Sequence, residues 1–125
     1  MNYLSPEQVL FIHSRIIDTT GGAHGLRDIG LLQSAVSRPR ATFKGKDLYI
    51  DVFHKAAAVM QSLAVNHPFI DGNKRTAITS AAVFLMQNRL TLEAAQEDLE
   101  TFALSVAVGM PFHNIAAWFR KHAIK

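Results

Sequence analysis

Nine consecutive residues, His67-Pro68-Phe69-Ile70-Asp71-Gly72-Asn73-Lys74-Arg75, gather an imidazole, a carboxylate, a glycine, an amide and two cations between two strongly apolar stretches. Each type has a chemical use at that spacing. If a helix begins near Asn73, its first amides lack internal partners and carry the positive end of the helix dipole. Gly72 lets backbone approach a ligand closely, and Lys74 and Arg75 add full charges in the first turn. Cations are disfavoured at a helix N-terminus unless an anion neutralises them, so this local conflict points to a bound phosphate. His67 supplies an imidazole, the side chain best suited to take a proton from an attacking hydroxyl near neutral pH. Asp71 is a hard oxygen ligand suited to one contact with a Mg²⁺ that also holds phosphate oxygens. Base, metal ligand and anion cradle together are the apparatus of phosphoryl or nucleotidyl transfer. Taken singly, each residue has a plainer role: Asp71 or Asn73 can cap a helix, His67 can satisfy a carbonyl, and the cations can be solvated. Capping explains neither the histidine nor the paired cations.

The elements that must position this loop follow from periodicity. Ser5-Pro6-Glu7-Gln8 opens a first helix with a capping serine, a proline in the first turn and a glutamine that completes a capping box. Val9, Ile12 and Ile16, with Leu10 and Ile17 beside them, form its stripe and Gly21-Gly22 end it. Asp28 caps a short second helix through Leu31, Leu32, Ala35 and Val36, stopped by Pro39. Ala41 to Asp47, with Gly45 and mixed charge, reads as a loop or small hairpin. A third helix runs from about Tyr49 to Asn66, and Pro68 disfavours helical backbone at His67, which leaves the histidine at the mouth of the loop. The fourth helix, from near Asn73 to about Asn88, is apolar nearly all round and is expected to be the central buried one. Leu90 and Leu92 alternate briefly. A fifth helix carries Leu99, Phe102, Ala103, Val106 and Ala107 until Gly109 and Pro111, and a short sixth carries Ile115, Trp118 and Phe119, running through Lys121 to Ala123. The expectation is an all-α, six-helix bundle forming one domain over residues 1–125, with a central buried helix and a short flap loop or hairpin.

Bulk properties narrow the function classes. The chain has 125 residues, 49% apolar and 18% charged, which suits one globular domain. No stretch approaches the about 18 apolar residues of a membrane helix, so no membrane association is expected. No secretory segment opens the sequence, and the absence of cysteine excludes disulfides and thiolate metal sites; both fit a cytoplasmic protein. The net charge of +3 suits an anionic partner: nucleotide, nucleic acid or acidic protein. The other histidines lack the spacing of a zinc-peptidase helix, and no Walker or protein-kinase motif occurs.

The loop resembles the signature of the Fic superfamily, His-Pro-Phe-x-(Asp/Glu)-Gly-Asn-Gly-Arg-x-x-Arg, and more closely its Doc (death-on-curing) branch. The opening Leu4-Ser5-Pro6-Glu7, the core Asn73-Lys74-Arg75-Thr76-Ala77 and the small size carry that closer likeness. Two positions depart from the wider pattern: Lys74 replaces a glycine and Ile78 replaces the second arginine. The resemblance implies a toxin of a type II toxin–antitoxin pair that moves the γ-phosphate of ATP, with Mg²⁺, to a hydroxyl of translation elongation factor Tu, arresting translation. His67 is then the general base, Asp71 the Mg²⁺ ligand, and Gly72, Asn73, Lys74 and Arg75 the phosphate site. Thr42, Phe43 and Lys44 lie where the family has a flap that aligns the target by strand pairing. None of Glu7, Glu93, Glu97 or Glu100 is followed by Gly or Asn, so the inhibitory motif of adenylylating relatives is absent. Control is then expected from a separate Phd-like antitoxin with an acidic C-terminal segment, docked near the N-terminal helices. Two alternatives remain: an adenylyltransferase of the Fic type, and a non-catalytic module binding antitoxin or nucleic acid. Direct nucleic-acid binding is not expected, although Arg38, Arg40, Lys44 and Lys46 cluster.

Overall fold

In the computed structural model, which describes residues 1–125, Ser5 and Gln8 form the expected reciprocal cap, and helix α1 spans Pro6–Thr20. Asp28 caps α2 (Ile29–Ser37) through the Leu31 amide. A single 3-10 turn, Arg38–Arg40, then holds Pro39, so α2 stops one residue before the turn rather than at the proline. Thr42–Phe43 (β1) and Lys46–Asp47 (β2) pair antiparallel as a two-stranded hairpin, with Lys44 and Gly45 at positive φ in the turn. Helix α3 covers Val52–Asn66 and begins three residues later than periodicity suggests, because the Asp51 carboxylate accepts from the His54 amide and fixes the start there. Helix α4 covers Asn73–Gln87, α5 Gln96–Ala107 and α6 Phe112–His122. Thr91–Leu92 (β3) pairs with Ala123–Ile124 (β4), so the final helix ends before Ala123 and its tail returns to form a ribbon that the sequence does not announce.

The all-α bundle is present, but its centre is α3 rather than α4. Every residue from Lys55 to Met60 is buried, as are Ser62, Leu63 and Ala64, and α2, α4, α5 and α6 all pack on this helix. Helix α4 buries one face, with Thr76, Ala77, Ser80, Ala81, Phe84 and Leu85, and leaves Lys74, Arg75 and Met86 exposed. Small side chains at Ala56, Ala57, Ala64, Ala77 and Ala81 let α3 and α4 run close together. Their connection, residues 67–72, therefore sits between two rigid elements. Beyond it, Phe102 lies flat on Trp118 at 3.8 Å, joining α5 to α6.

Lys55 organises the other end of α3. Its side chain is 2% exposed, and Nζ donates to the Tyr3 hydroxyl (2.9 Å), the Pro39 carbonyl (3.1 Å) and Asp47 Oδ2 (3.2 Å). Burial pulls its pKa down, but the bonds to Tyr3 and Asp47 prevail and hold it above the ordinary lysine value. The β1–β2 hairpin is thereby tied to the core through Asp47. No helix is long and apolar enough to cross a membrane.

Candidate functional site

The loop between α3 and α4 is built from the inside out. Phe69 is 2% exposed, and His13 of α1 stacks on it with ring centroids 3.8 Å apart and planes 5° from parallel. The Asn73 side chain closes the loop on itself: Oδ1 accepts from the Phe69 amide (3.0 Å) and Nδ2 donates to the Phe69 carbonyl (2.9 Å). Asn73 is thus buried and occupied, and only its backbone amide is available to a ligand. His13 Nε2 lies 2.8 Å from the Asp71 carbonyl, an acceptor only, so that nitrogen carries the proton. Gly72 takes φ 77° directly above: an added Cβ would stand 3.0 Å from Ile17 and 3.7 Å from the His13 ring.

A second segment, residues 22–28, forms the facing wall. The Ala23 amide donates to Asp71 Oδ2 (3.1 Å), and the Gly72 amide to Oδ1 (2.8 Å). These bonds, Ala23 first, hold the Asp71 carboxyl below the ordinary range against a small burial penalty, with Arg75 and His13 contributing charge. Gly22, at φ 115°, must lack a side chain, because a Cβ there would come within 2.6 Å of Asp71 Oδ2. Leu26 bridges to Phe69, the Ile70 amide donates to the Gly25 carbonyl, and the Arg27 and Asp28 amides both donate to the Pro68 carbonyl.

His67 ends α3 in left-handed backbone, φ 52° and ψ 63°, with its ring exposed to solvent and hydrogen-bonded to no protein group. Lys74 and Arg75 stand exposed in the first turn of α4, where no side chain caps the helix and neither cation has a salt-bridge partner. Three features therefore point toward an anion: uncapped amides at residues 73–75, a positive dipole end, and two unpaired cations. No group of three or more metal-ligating side chains exists, so the chain offers no self-contained metal cage. One ionised carboxylate with lone pairs to spare nevertheless fits a Mg²⁺ whose other ligands are phosphate oxygens and water.

Beside the site a groove of about 660 Å³ runs between α1, α4 and α5, with Lys74, Arg75 and Ile78 on one wall and Ile16, Leu99 and Leu104 among the others. Ile78, in the place of an arginine in the wider motif, thus adds an apolar surface beside the two cations on that wall. Thr42, Phe43 and Lys44 lie on the exposed hairpin as anticipated, and both strands have free edges. His13, Gly22, Ala23 and Arg27 escape the sequence reading, although all four touch the loop. The available signal was His13 itself, a polar residue midway along the buried Val9–His13–Ile17 stripe.

Fold and site together define a helical domain that presents a histidine-bearing loop at an uncapped helix N-terminus. Residues 3–85 match the model of the Fic/Doc family. A protein named Toxin Doc from Mycolicibacterium smegmatis is 49% identical over 92 residues, which span 74% of this chain and 68% of that protein. Protein kinase doc of Escherichia phage P1 is 34% identical over 88 residues, 70% of this chain and 69% of that one. The chain belongs to the Fic/Doc family, in its Doc branch.

Proposed function

We propose that this chain is the toxin half of a toxin–antitoxin pair and an ATP-dependent protein kinase. The observation that carries the reading is the pairing of an exposed, unpartnered His67 with an ionised Asp71 at the two ends of one loop, beside an uncapped helix start bearing Lys74 and Arg75. A binding module needs neither the base nor the carboxylate. In this reading His67 accepts the proton of the attacking hydroxyl as its oxygen bonds to the γ-phosphorus and the bond to the β–γ bridging oxygen breaks, so that ADP leaves. The free amides of residues 73–75, which Gly72 lets a ligand approach, bind the phosphates with Lys74 and Arg75 and offset the charge that develops on them. Mg²⁺, when bound at Asp71, supplies further charge neutralisation on the phosphate oxygens.

Transfer of phosphate rather than AMP rests on Lys74 and Ile78. A long cation and an apolar residue replace the pair that seats the nucleotide in adenylylating relatives, which favours a different lie of ATP. The names borne by two relatives, a toxin and a protein kinase, agree with this reading. The hydroxyl-bearing target is taken to be elongation factor Tu, positioned by Thr42, Phe43 and Lys44, with translation arrested in the cytoplasm. An acidic, amphipathic segment of a Phd-like antitoxin suits the groove of α1, α4 and α5, whose apolar walls end at Lys74 and Arg75.

Induced expression in a bacterial host tests the reading. Wild type should arrest growth, and His67→Ala and Asp71→Ala should not at equal protein level. Purified Arg75→Ala should bind Mg-ATP at least about tenfold more weakly, the scale of one lost charge-assisted contact. His67→Ala should bind it as wild type does. Growth arrest by His67→Ala equal to wild type would overturn the assignment of the base.

A further inference from the structure

The base has no side-chain partner. No protein group hydrogen-bonds the His67 ring, so its placement depends on the backbone of residues 66–68. A non-glycine residue in left-handed backbone carries a cost of order 1–2 kcal/mol and persists where its surroundings impose it. The last carbonyls of a helix also lack intrahelical partners and need donors from elsewhere. One residue supplies both requirements. Arg27 Nε donates to the His67 carbonyl at 2.7 Å, and Arg27 Nη2 donates to the Asn66 carbonyl at 2.8 Å. Its own amide donates to the Pro68 carbonyl at 2.7 Å, and the next amide, that of Asp28, to the same oxygen at 3.0 Å. Four donors from two neighbouring residues therefore grip three consecutive carbonyls centred on the histidine. Asp28 in turn caps α2, which fixes the clamp to a second helix.

We propose that Arg27 is a positioning residue for the transfer reaction, holding the His67 backbone, and with it the ring, in the geometry the base requires. The inference rests on the reading of His67 as that base. Arg27 is exposed and its side chain touches no core residue through a hydrogen bond, so its removal should free two surface carbonyls to water and leave the fold in place. The guanidinium fork suits two carbonyls on successive residues, whereas a lysine ammonium can serve one of them well.

Wild type, His67→Ala, Arg27→Ala and Arg27→Lys, each as the full chain, separate the possibilities. The first readout is the His67 Cε1–H resonance in ¹³C–¹H NMR spectra, assigned by its loss in His67→Ala. The second is the initial rate of label transfer from γ-labelled ATP to proteins of a bacterial lysate, with the KM for ATP. In Arg27→Ala the resonance should shift and broaden while the melting temperature stays near wild type. Its rate should fall about 10- to 100-fold, the scale expected for a misplaced base, with the ATP KM within about twofold. Arg27→Lys should recover part of that rate. An unchanged resonance in Arg27→Ala overturns the proposal, as does a rate that falls only in step with a lower melting temperature and a raised ATP KM. If His67→Ala transfers label at the wild-type rate, or wild type transfers none, the assignment of the base fails instead. The resonance then decides the positioning of the ring on its own.

Discussion

Asn73→Ala asks whether the motif asparagine is part of the loop's frame. Its side chain makes two hydrogen bonds, to the Phe69 amide at 3.0 Å and the Phe69 carbonyl at 2.9 Å, and both are buried. Alanine removes both partners at once and leaves an amide and a carbonyl unsatisfied inside the loop. Each stranded group costs about 1–3 kcal/mol, so a total of about 2–6 kcal/mol is expected. For 125 residues that corresponds to a fall of roughly 8–24 °C in melting temperature. Urea unfolding of wild type and variant, compared at equal slope, measures the difference directly. Asn73→Asp sharpens the test. A carboxylate keeps the bond to the Phe69 amide but turns the second contact into two opposed acceptors. Its folded-state pKa should therefore rise, because the protonated acid can donate to the Phe69 carbonyl. The gain is present at low pH and lost as pH rises through that raised pKa, so the deficit of Asn73→Asp relative to wild type should grow from about pH 4 toward neutrality. A loss below about 0.5 kcal/mol in Asn73→Ala, the range of an ordinary surface change, would refute the reasoning and return Asn73 to the list of free phosphate-binding side chains.

Other perturbations probe the walls around that frame. Gly22→Ala should destabilise by about 1–3 kcal/mol, since its Cβ meets Asp71 Oδ2 at 2.6 Å and its φ is positive. By displacing the carboxylate from the Ala23 amide, it should also raise the Asp71 pKa toward the ordinary value, as NMR titration will report; a stable protein with unchanged Asp71 contradicts this geometry. Lys55→Met should cost about 2–3 kcal/mol through lost charge-assisted bonds to Tyr3, Pro39 and Asp47. It should also speed amide exchange across residues 42–47, and unchanged exchange there would show that Lys55 does not tether the hairpin. Asp51 is partly buried, which raises its pKa, but the His54 amide and ring and the Arg120 guanidinium outweigh burial and leave it lowered. A lowered carboxylate stabilises above its unfolded pKa of about 4, and the gain fades as pH falls through the folded value. Asp51→Asn, which retains a capping oxygen, should therefore be less stable than wild type at pH 7, with the gap closing below pH 4 in parallel urea titrations.

What the sequence made legible was local. His67, Asp71, Gly72, Lys74 and Arg75 are contiguous, and the conflict of cations at a helix start is visible without knowing what surrounds it. The capping sets at Ser5 and Asp28 were legible for the same reason. Tertiary partners were not. Arg27 lies 40 residues from His67 in the chain, and no periodicity links the two. His13 sits within an apolar stripe, where a histidine reads as core, and its bond to the Asp71 carbonyl spans 58 residues. Helix α4 looked central because its composition is apolar on every side. Ile78 instead faces the groove beside the site, and α3, richer in alanine and carrying a buried lysine, takes the centre. The β3–β4 ribbon depends on a two-residue pairing between distant segments, and four residues carry too little pattern to declare it.

The central claim is transfer of the γ-phosphate with His67 as base, and one double-label experiment addresses it most directly. The purified chain, Mg²⁺ and bacterial extract are incubated with ATP labelled at either the γ or the α phosphate, alongside His67→Ala. Protein-bound label from the γ position alone, abolished in His67→Ala, is the predicted result. Label retained from the α position would contradict it and mark the chain as an adenylyltransferase.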